Sequence, residues 1–200
     1  WVLEFCRGAA AAGAQYGVPL TGGDIAELPA EGVAASLTIL GEVDENEIVL
    51  RSGAKAGDLL YVTGAIGNSF ASEHHLDFAP RLAEGRFLAS HRFASAMLDI
   101  SDGLLLDASR LAASSRVALT VEQERIPLRA GAVPESAWSD GEDYELLFTV
   151  PADAAAQLEA CWPPAFAPLT RIGSVSAGSG EVLDPGGNSL IEHRKSGYEH

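Results

Sequence analysis

The chain opens on a helical period. Val2, Phe5, Ala9, Ala12 and Tyr16 recur at steps of three and four, which gathers apolar side chains on one stripe of a helix. The stripe runs to Gly17, where the helix is expected to stop. The chain starts inside this period with no Met before it, so it is read as a piece that lacks an N-terminal part. The period then drops to two. "VPL" at 18–20 reads as a short strand entering the double-glycine turn "TGGD". Residues 33–43 alternate, with Val33, Ala35, Leu37 and Ile39 on one face, which predicts a strand. "DENE" at 44–47 is a solvated turn and "IVLR" at 48–51 another strand. The Gly-rich connector "SGAKAGD" at 52–58 is the candidate domain boundary.

Beyond it, "LLYVTG" (59–64) predicts a buried strand, followed by an irregular helical region up to about residue 90. "SAMLDIS" (95–101) is a strand, and 102–115 a helix with Asp102 placed as its N-cap. "VALTVE" is a strand, 124–139 is irregular, and "DYELLFTV" (143–150) is a strand bounded by Pro151. Residues 152–161 form a helix and "TRIGSVS" a strand, and "DPGGN" (184–188) turns a hairpin. Met97, Phe87, Phe93, Phe148 and Trp162 read as core. Strands alternating with helices predict an α/β or α+β fold with a layered sheet.

Composition narrows the function. The 200 residues carry 28 Asp plus Glu against 13 Lys plus Arg, a net charge of −15. That length suits one domain, or one and part of a second. With 47% hydrophobic and 20% charged residues the chain can bury a core. It has no surplus cations for nucleic-acid phosphates or an anionic membrane surface. There is no apolar run of the roughly 20 residues that span a bilayer, and no basic segment followed by an apolar stretch opens the chain, so a secretory leader is not expected. Cys6 and Cys161 are far apart and form no CxxC, as expected of a reduced, cytoplasmic protein without structural zinc.

Three acidic constellations are candidates for chemistry. In "LDISDGL" (98–104), Asp99 and Ser101 share a strand face and Asp102 follows at a helix start. Two carboxylates there could hold Mg²⁺, which takes one or two of them and completes its shell with water and phosphate. Asp102 would equally serve as a plain cap. In "TGGD" (21–24), the glycines let a ligand approach the backbone and Asp24 could join a metal shell, or the segment is a tight turn. In "DGEDYELLF" (140–148), three acids in four positions repel one another unless a cation or hydrogen-bond donors compensate. A solvated loop is the alternative. "TGAIGNS" (63–69) resembles a phosphate-cradling turn, and Arg51 and Lys55 could meet phosphate. His74 and His75 lie in a polar stretch. No P-loop, protein-kinase or GxSxG signature is present.

Together these segments resemble the thiamine-monophosphate kinase family, within the superfamily of aminoimidazole-ribotide synthetase. The order "WVLEFCRG…YGVPLTGGD", "LRSGAKAGDLLYVTGAIGNS", "PRL", "LDISDGLLLD", "GEDYELLFTVP", "IGSV" and "GYEH" runs along nearly the whole chain. "SDGL" with "GEDYELLF" is the specific part. The resemblance implies that residues 1–50 are the tail of an N-terminal ATP-binding, dimer-forming barrel domain, and that 51–200 are a C-terminal α/β domain. It implies Mg²⁺ on Asp24, Asp99 and Asp102, nucleotide contacts at Gly23, Arg51 and Ser101, and substrate contacts at Glu142 and Tyr198. The implied reaction takes ATP and thiamine monophosphate to ADP and thiamine diphosphate, in a homodimer when complete. Ile25 stands where the family usually has a hydroxyl residue, and Asp140 where it has a glycine. "GGDIAELP" leans towards the aminoimidazole-ribotide branch. A related synthetase, or a nucleotide-binding piece without turnover, are the competing readings.

Overall fold

A computed structural model describes residues 1–27 and 31–191. The chain divides into two compact units, Trp1–Gly41 and Glu42–His200.

The first unit is built on helix α1 (Val2–Tyr16), which the apolar stripe predicted. It ends at Gly17 in the left-handed conformation, φ 71°. An open, mostly apolar cleft of about 1070 Å³ lies between this helix and residues 20–26 and 32–37. The strands expected at 18–20 and 33–43 do not form, nor does the one at 48–51. Alternation states which face a strand would bury, but a strand exists only where a partner takes up its N–H and C=O groups. No described residue pairs with these segments as a ladder, and Ile39 is left 77% exposed. Leu50 makes one such bond: its carbonyl accepts from Met97 N at 3.0 Å.

The second unit is a layered α+β domain. Its elements are β1 (Leu59–Thr63), α2 (Leu82–Ser90), β2 (Ala96–Asp99), α3 (Leu104–Ser115), β3 (Val117–Val121), the single turn α4 (Pro134–Ala137), β4 (Leu146–Val150), α5 (Ala152–Cys161), β5 (Leu169–Ala177) and β6 (Val182–Leu183). The strands form one sheet in the order β2-β4-β1-β5-β3-β6. Every pairing is antiparallel except β3 with β6. "DPGGN" closes a hairpin as expected, through a bridge between Leu183 and Ser189. Between β1 and β2 the chain is mostly turn, with one 3-10 turn at His74–Leu76 before α2.

The strand alternation sorts side chains onto two faces. Leu60, Val62, Leu147 and Ile172 pack with Leu104, Leu105, Ala108 and Leu111 of α3. Tyr61, Phe148 and Val150 face the other way, onto Leu88 of α2 and Leu158 of α5. Phe93 is buried in this second layer, and Phe87, Met97 and Trp162 pack against it. Leu111 is fully buried. Leu111→Ala is expected to lower the unfolding free energy by about 3 kcal/mol, the usual cost of a leucine-sized cavity, as measured by urea denaturation. A loss below 1 kcal/mol would mean that α3 does not seal this face.

Candidate active site

The sheet register explains why distant motifs meet. β2 and β4 are antiparallel, with Asp99 opposite Leu146. β1 and β4 are antiparallel, with Val62 opposite Leu147. The ends of β1 and β2 and the start of β4 therefore share one edge of the sheet. The segments that leave or enter there are "TGAIGNS", "ISDG" and "GEDYE".

The last two are bonded to each other. Glu142 N donates to Ser101 O at 2.7 Å, Tyr144 N to Ile100 O at 2.8 Å, and Ile100 N to Glu145 O at 2.8 Å. Gly141 lies so close that a Cβ there would come within 2.8 Å of Ser101 O. The loop has a further cost: Glu142 and Tyr144 are left-handed, φ 60° and 52°, about 1–2 kcal/mol each for residues with a Cβ. This turn is why β4 begins at Leu146, three residues later than alternation predicted.

Asp102 is not the helix N-cap. Gly103 takes that position at φ 113°. The backbone N–H groups of Ser101 and Asp102 both donate to Asp107 Oδ2 at 3.0 Å. Asp107 lies in the first turn of α3 and is buried. Burial pushes its carboxyl up, against the pull of these N–H groups and Arg110. The Asp102 carboxylate is partly buried and pairs with Arg110, which also reaches Asp107 Oδ1 at 2.7 Å. Asp99 is exposed at the end of β2.

Glu142 and Tyr144 project beside these acids. The Tyr144 hydroxyl donates to Glu142 Oε2 at 3.0 Å. Burial raises the phenol to about 12, with Glu142 next and then the negative field of Asp99 and Asp102. Phe78 stacks on the Tyr144 ring with centroids 4.0 Å apart. The arrangement is an outward-facing acidic patch with an aromatic wall.

The intervening acids point inward. Asp143 and Glu145 are both 1% exposed. Glu145 receives Arg81 Nε at 2.7 Å and Nη2 at 2.6 Å, and the Thr63 hydroxyl at 2.7 Å. Asp143 Oδ1 receives Arg129 Nη1 and Gly67 N, both at 2.8 Å. Burial lifts the Asp143 carboxyl to about 6 although Arg129 and Gly67 pull it down. Hydrogen-bond donors thus compensate the tight run of acids. The cradle expected at "TGAIGNS" is taken by the chain itself: Gly67 N serves Asp143, and Gly64 N donates to Pro168 O at 2.8 Å.

The other expected residues are distributed as follows. Gly23 and Asp24 belong to the first unit and are exposed, with Asp24 Oδ1 accepting from Ile25 N at 2.9 Å. Arg51 is exposed, and its carbonyl accepts from the Ser115 hydroxyl at 3.2 Å. Lys55 N donates to Asp58 Oδ2 at 2.9 Å. Tyr198 lies outside the described residues. His74 Nε2 donates to Asp143 O at 3.2 Å, and His75 Nδ1 to Ser69 O at 3.1 Å. Burial lowers the His74 pKa, with Arg129 adding to it.

Sequence reasoning missed Arg81, Arg129, Arg110 and Phe78. A usable signal existed for the arginines. Acids that run directly into a fully apolar strand are buried, and buried acids require cationic partners.

Among the described residues no cage of three or more Asp, Glu, His or Cys side chains forms. A divalent cation here would rest on the Asp99 and Asp102 carboxylates, hard oxygen donors in the number Mg²⁺ takes from a protein. The donor chemistry of the two acids fits the ion, with Arg110 already paired to Asp102. No helix among the described residues is long and apolar enough to cross a membrane.

Comparison with known proteins identifies the family and the fold. Residues 55–185 match the family model "AIR synthase related protein, C-terminal domain". The thiamine-monophosphate kinase of Rhodopirellula baltica is 37% identical over 88% of this chain and 57% of its own length. That of Methanospirillum hungatei is 34% identical over the whole chain and 68% of its own length. The crystal structure of the Stenotrophomonas maltophilia enzyme superposes with a TM-score of 0.65 at 28% identity, over 74% of this chain and 56% of that one. A structure of AaThiL complexed with AMPPCP and TMP gives 0.56 at 31% identity, over 76% and 54%. The hydrogenase maturation protein HypE in complex with ATP gives 0.60 at 18% identity, over 80% and 56%, a likeness of fold alone. The chain thus spans a little over half the length of several relatives that it matches.

Proposed function

The chain belongs to the thiamine-monophosphate kinase family, and on that premise we propose that the full-length protein transfers the γ-phosphoryl group of ATP to thiamine monophosphate. Thiamine diphosphate and ADP are the products. The observation that carries the reading is the bonded contact between the "ISDG" and "GEDYE" loops, which sets Asp99, Asp102, Glu142 and Tyr144 on one outward face.

The chemistry needs little acid–base help. A phosphate monoester has a second pKa of about 6, so the attacking oxygen is already ionised near neutral pH. The barrier is the approach of two anions, which positioning and charge neutralisation lower. A chain with net charge −15 cannot supply the positive charge broadly. Bound Mg²⁺ would supply it, held in the second unit by Asp99 and Asp102; the family resemblance also assigns Asp24 of the first unit to metal. Ser101, Gly23 and Arg51 are assigned to the nucleotide. Glu142, with Tyr198, is assigned to the acceptor, where a carboxylate suits the thiazolium cation of thiamine. Asp107 holds the Ser101–Asp102 backbone in place from inside the helix.

The test is direct. Full-length protein with ATP, Mg²⁺ and thiamine monophosphate should form thiamine diphosphate and ADP in equal amounts, resolved by chromatography. ADP release without thiamine diphosphate would favour another phosphotransferase of the superfamily and remove this assignment.

A further inference from the structure

We propose that Arg81 and Arg129 are positioning residues: from behind the 142–145 loop they fix its backbone and so aim Glu142 and Tyr144 at the substrate. The proposal rests on the reading that this loop borders the transfer site.

The loop alternates. Glu142 and Tyr144 face out, while Asp143 and Glu145 face into the domain. Both outward residues hold left-handed backbone conformations, which persist only where the surroundings impose them. Three backbone bonds with Ile100 and Ser101 restrain the loop from the front. The arginines restrain it from the rear. Arg81, at the start of α2, forks onto both oxygens of Glu145. Arg129 spreads over three acceptors: Asp143 Oδ1 at 2.8 Å, Gly67 O at 2.7 Å and Ala65 O at 2.7 Å. The two inward acids thereby tie the loop to α2, to the 65–67 turn and to residue 129, which are remote in sequence.

Thrift does not explain this arrangement. Buried ion pairs are seldom better for stability than apolar residues of the same volume. Asp143 is also poorly served, because its Oδ2 is buried with no hydrogen-bond partner among the described residues. An apolar side chain there would spare that atom. What the pairs add is direction, since a forked guanidinium fixes a carboxylate in orientation as well as position.

The test is amide hydrogen exchange by NMR on the full-length protein, alongside steady-state kinetics. Arg129→Met and Arg81→Met should speed exchange at the Glu142 and Tyr144 amides by at least about tenfold. The amides of Val62 and Ile172, in the central strands, should keep their wild-type rates. The kcat should fall about 30-fold with the KM for ATP unchanged. Arg129→Lys keeps the charge without the three-way reach and should recover only part of the loss. Asp143→Asn keeps an acceptor for Gly67 N and should show the same signature even if an arginine variant fails to fold. Wild-type exchange at residues 142 and 144 in these variants would overturn the proposal, as would equal acceleration at Val62 and Ile172. The exchange signature in a protein that makes no thiamine diphosphate would keep the positioning role and remove the kinase reading.

Discussion

Asp102→Asn should lower phosphoryl transfer by the full-length protein about 10³-fold, the scale seen when one preorganised charge-stabilising group is lost from a site. The substitution keeps size and shape and removes one negative charge. Asp102 is only partly buried, and its backbone N–H is held by Asp107 independently of its own side chain. Arg110 retains Asp107 as a partner. The fold should therefore persist, with far-ultraviolet circular dichroism and the urea midpoint close to wild type. The surviving activity should require more Mg²⁺. Activity within tenfold of wild type at the same Mg²⁺ concentration would show that this carboxylate does not hold the ion.

The second large effect concerns the sheet. Gly173 sits in β5 between two neighbours, paired with Leu60 on β1 and Val121 on β3. The register with β1 slips beside it, between Leu60 and Tyr61. A Cβ at this glycine would collide with the carbonyl oxygen of Thr120. Backbone is on the other side of that collision, so no rotamer change relieves it. Gly173→Ala is expected to cost about 4 kcal/mol or more, the range reserved for steric conflict in a buried framework. Urea unfolding measures it. A loss under 1 kcal/mol would show that β3 and β5 are further apart than described.

Most of the second unit was legible in the sequence because its segments carry both pattern and punctuation. Leu60 and Val62 alternate with Tyr61 before a glycine, and the apolar run of 146–150 stops at Pro151. The first unit was only half legible. The stripe of α1 is a local property, whereas a strand at 33–43 depends on a partner that alternation cannot name. Asp102 was misplaced by one step: the structure puts Gly103 at the cap and gives the N–H groups to Asp107. The acids of 140–145 were recognised as an electrostatic problem. Their resolution was hidden, because Arg81 and Arg129 lie 64 and 14 residues away from the acids they meet. Phe78 reached Tyr144 in the same way, through a loop with no period. The resemblance named Glu142 and could not say that its neighbour is buried.

The position of β1 has a consequence for synthesis. It is the first strand of the sheet to leave the ribosome, yet it lies in the middle, and both of its neighbours come late. β4 begins roughly 80 residues after β1 ends, and β5 roughly 100. At about 5–20 residues per second, its two edges wait on the order of 4–20 s for their mates. Throughout that interval Leu60 and Val62 are presented as sticky nascent chain. Overexpression should therefore be limited by trapping on chaperones and in inclusion bodies, and slowing translation after β1 should worsen the yield rather than improve it.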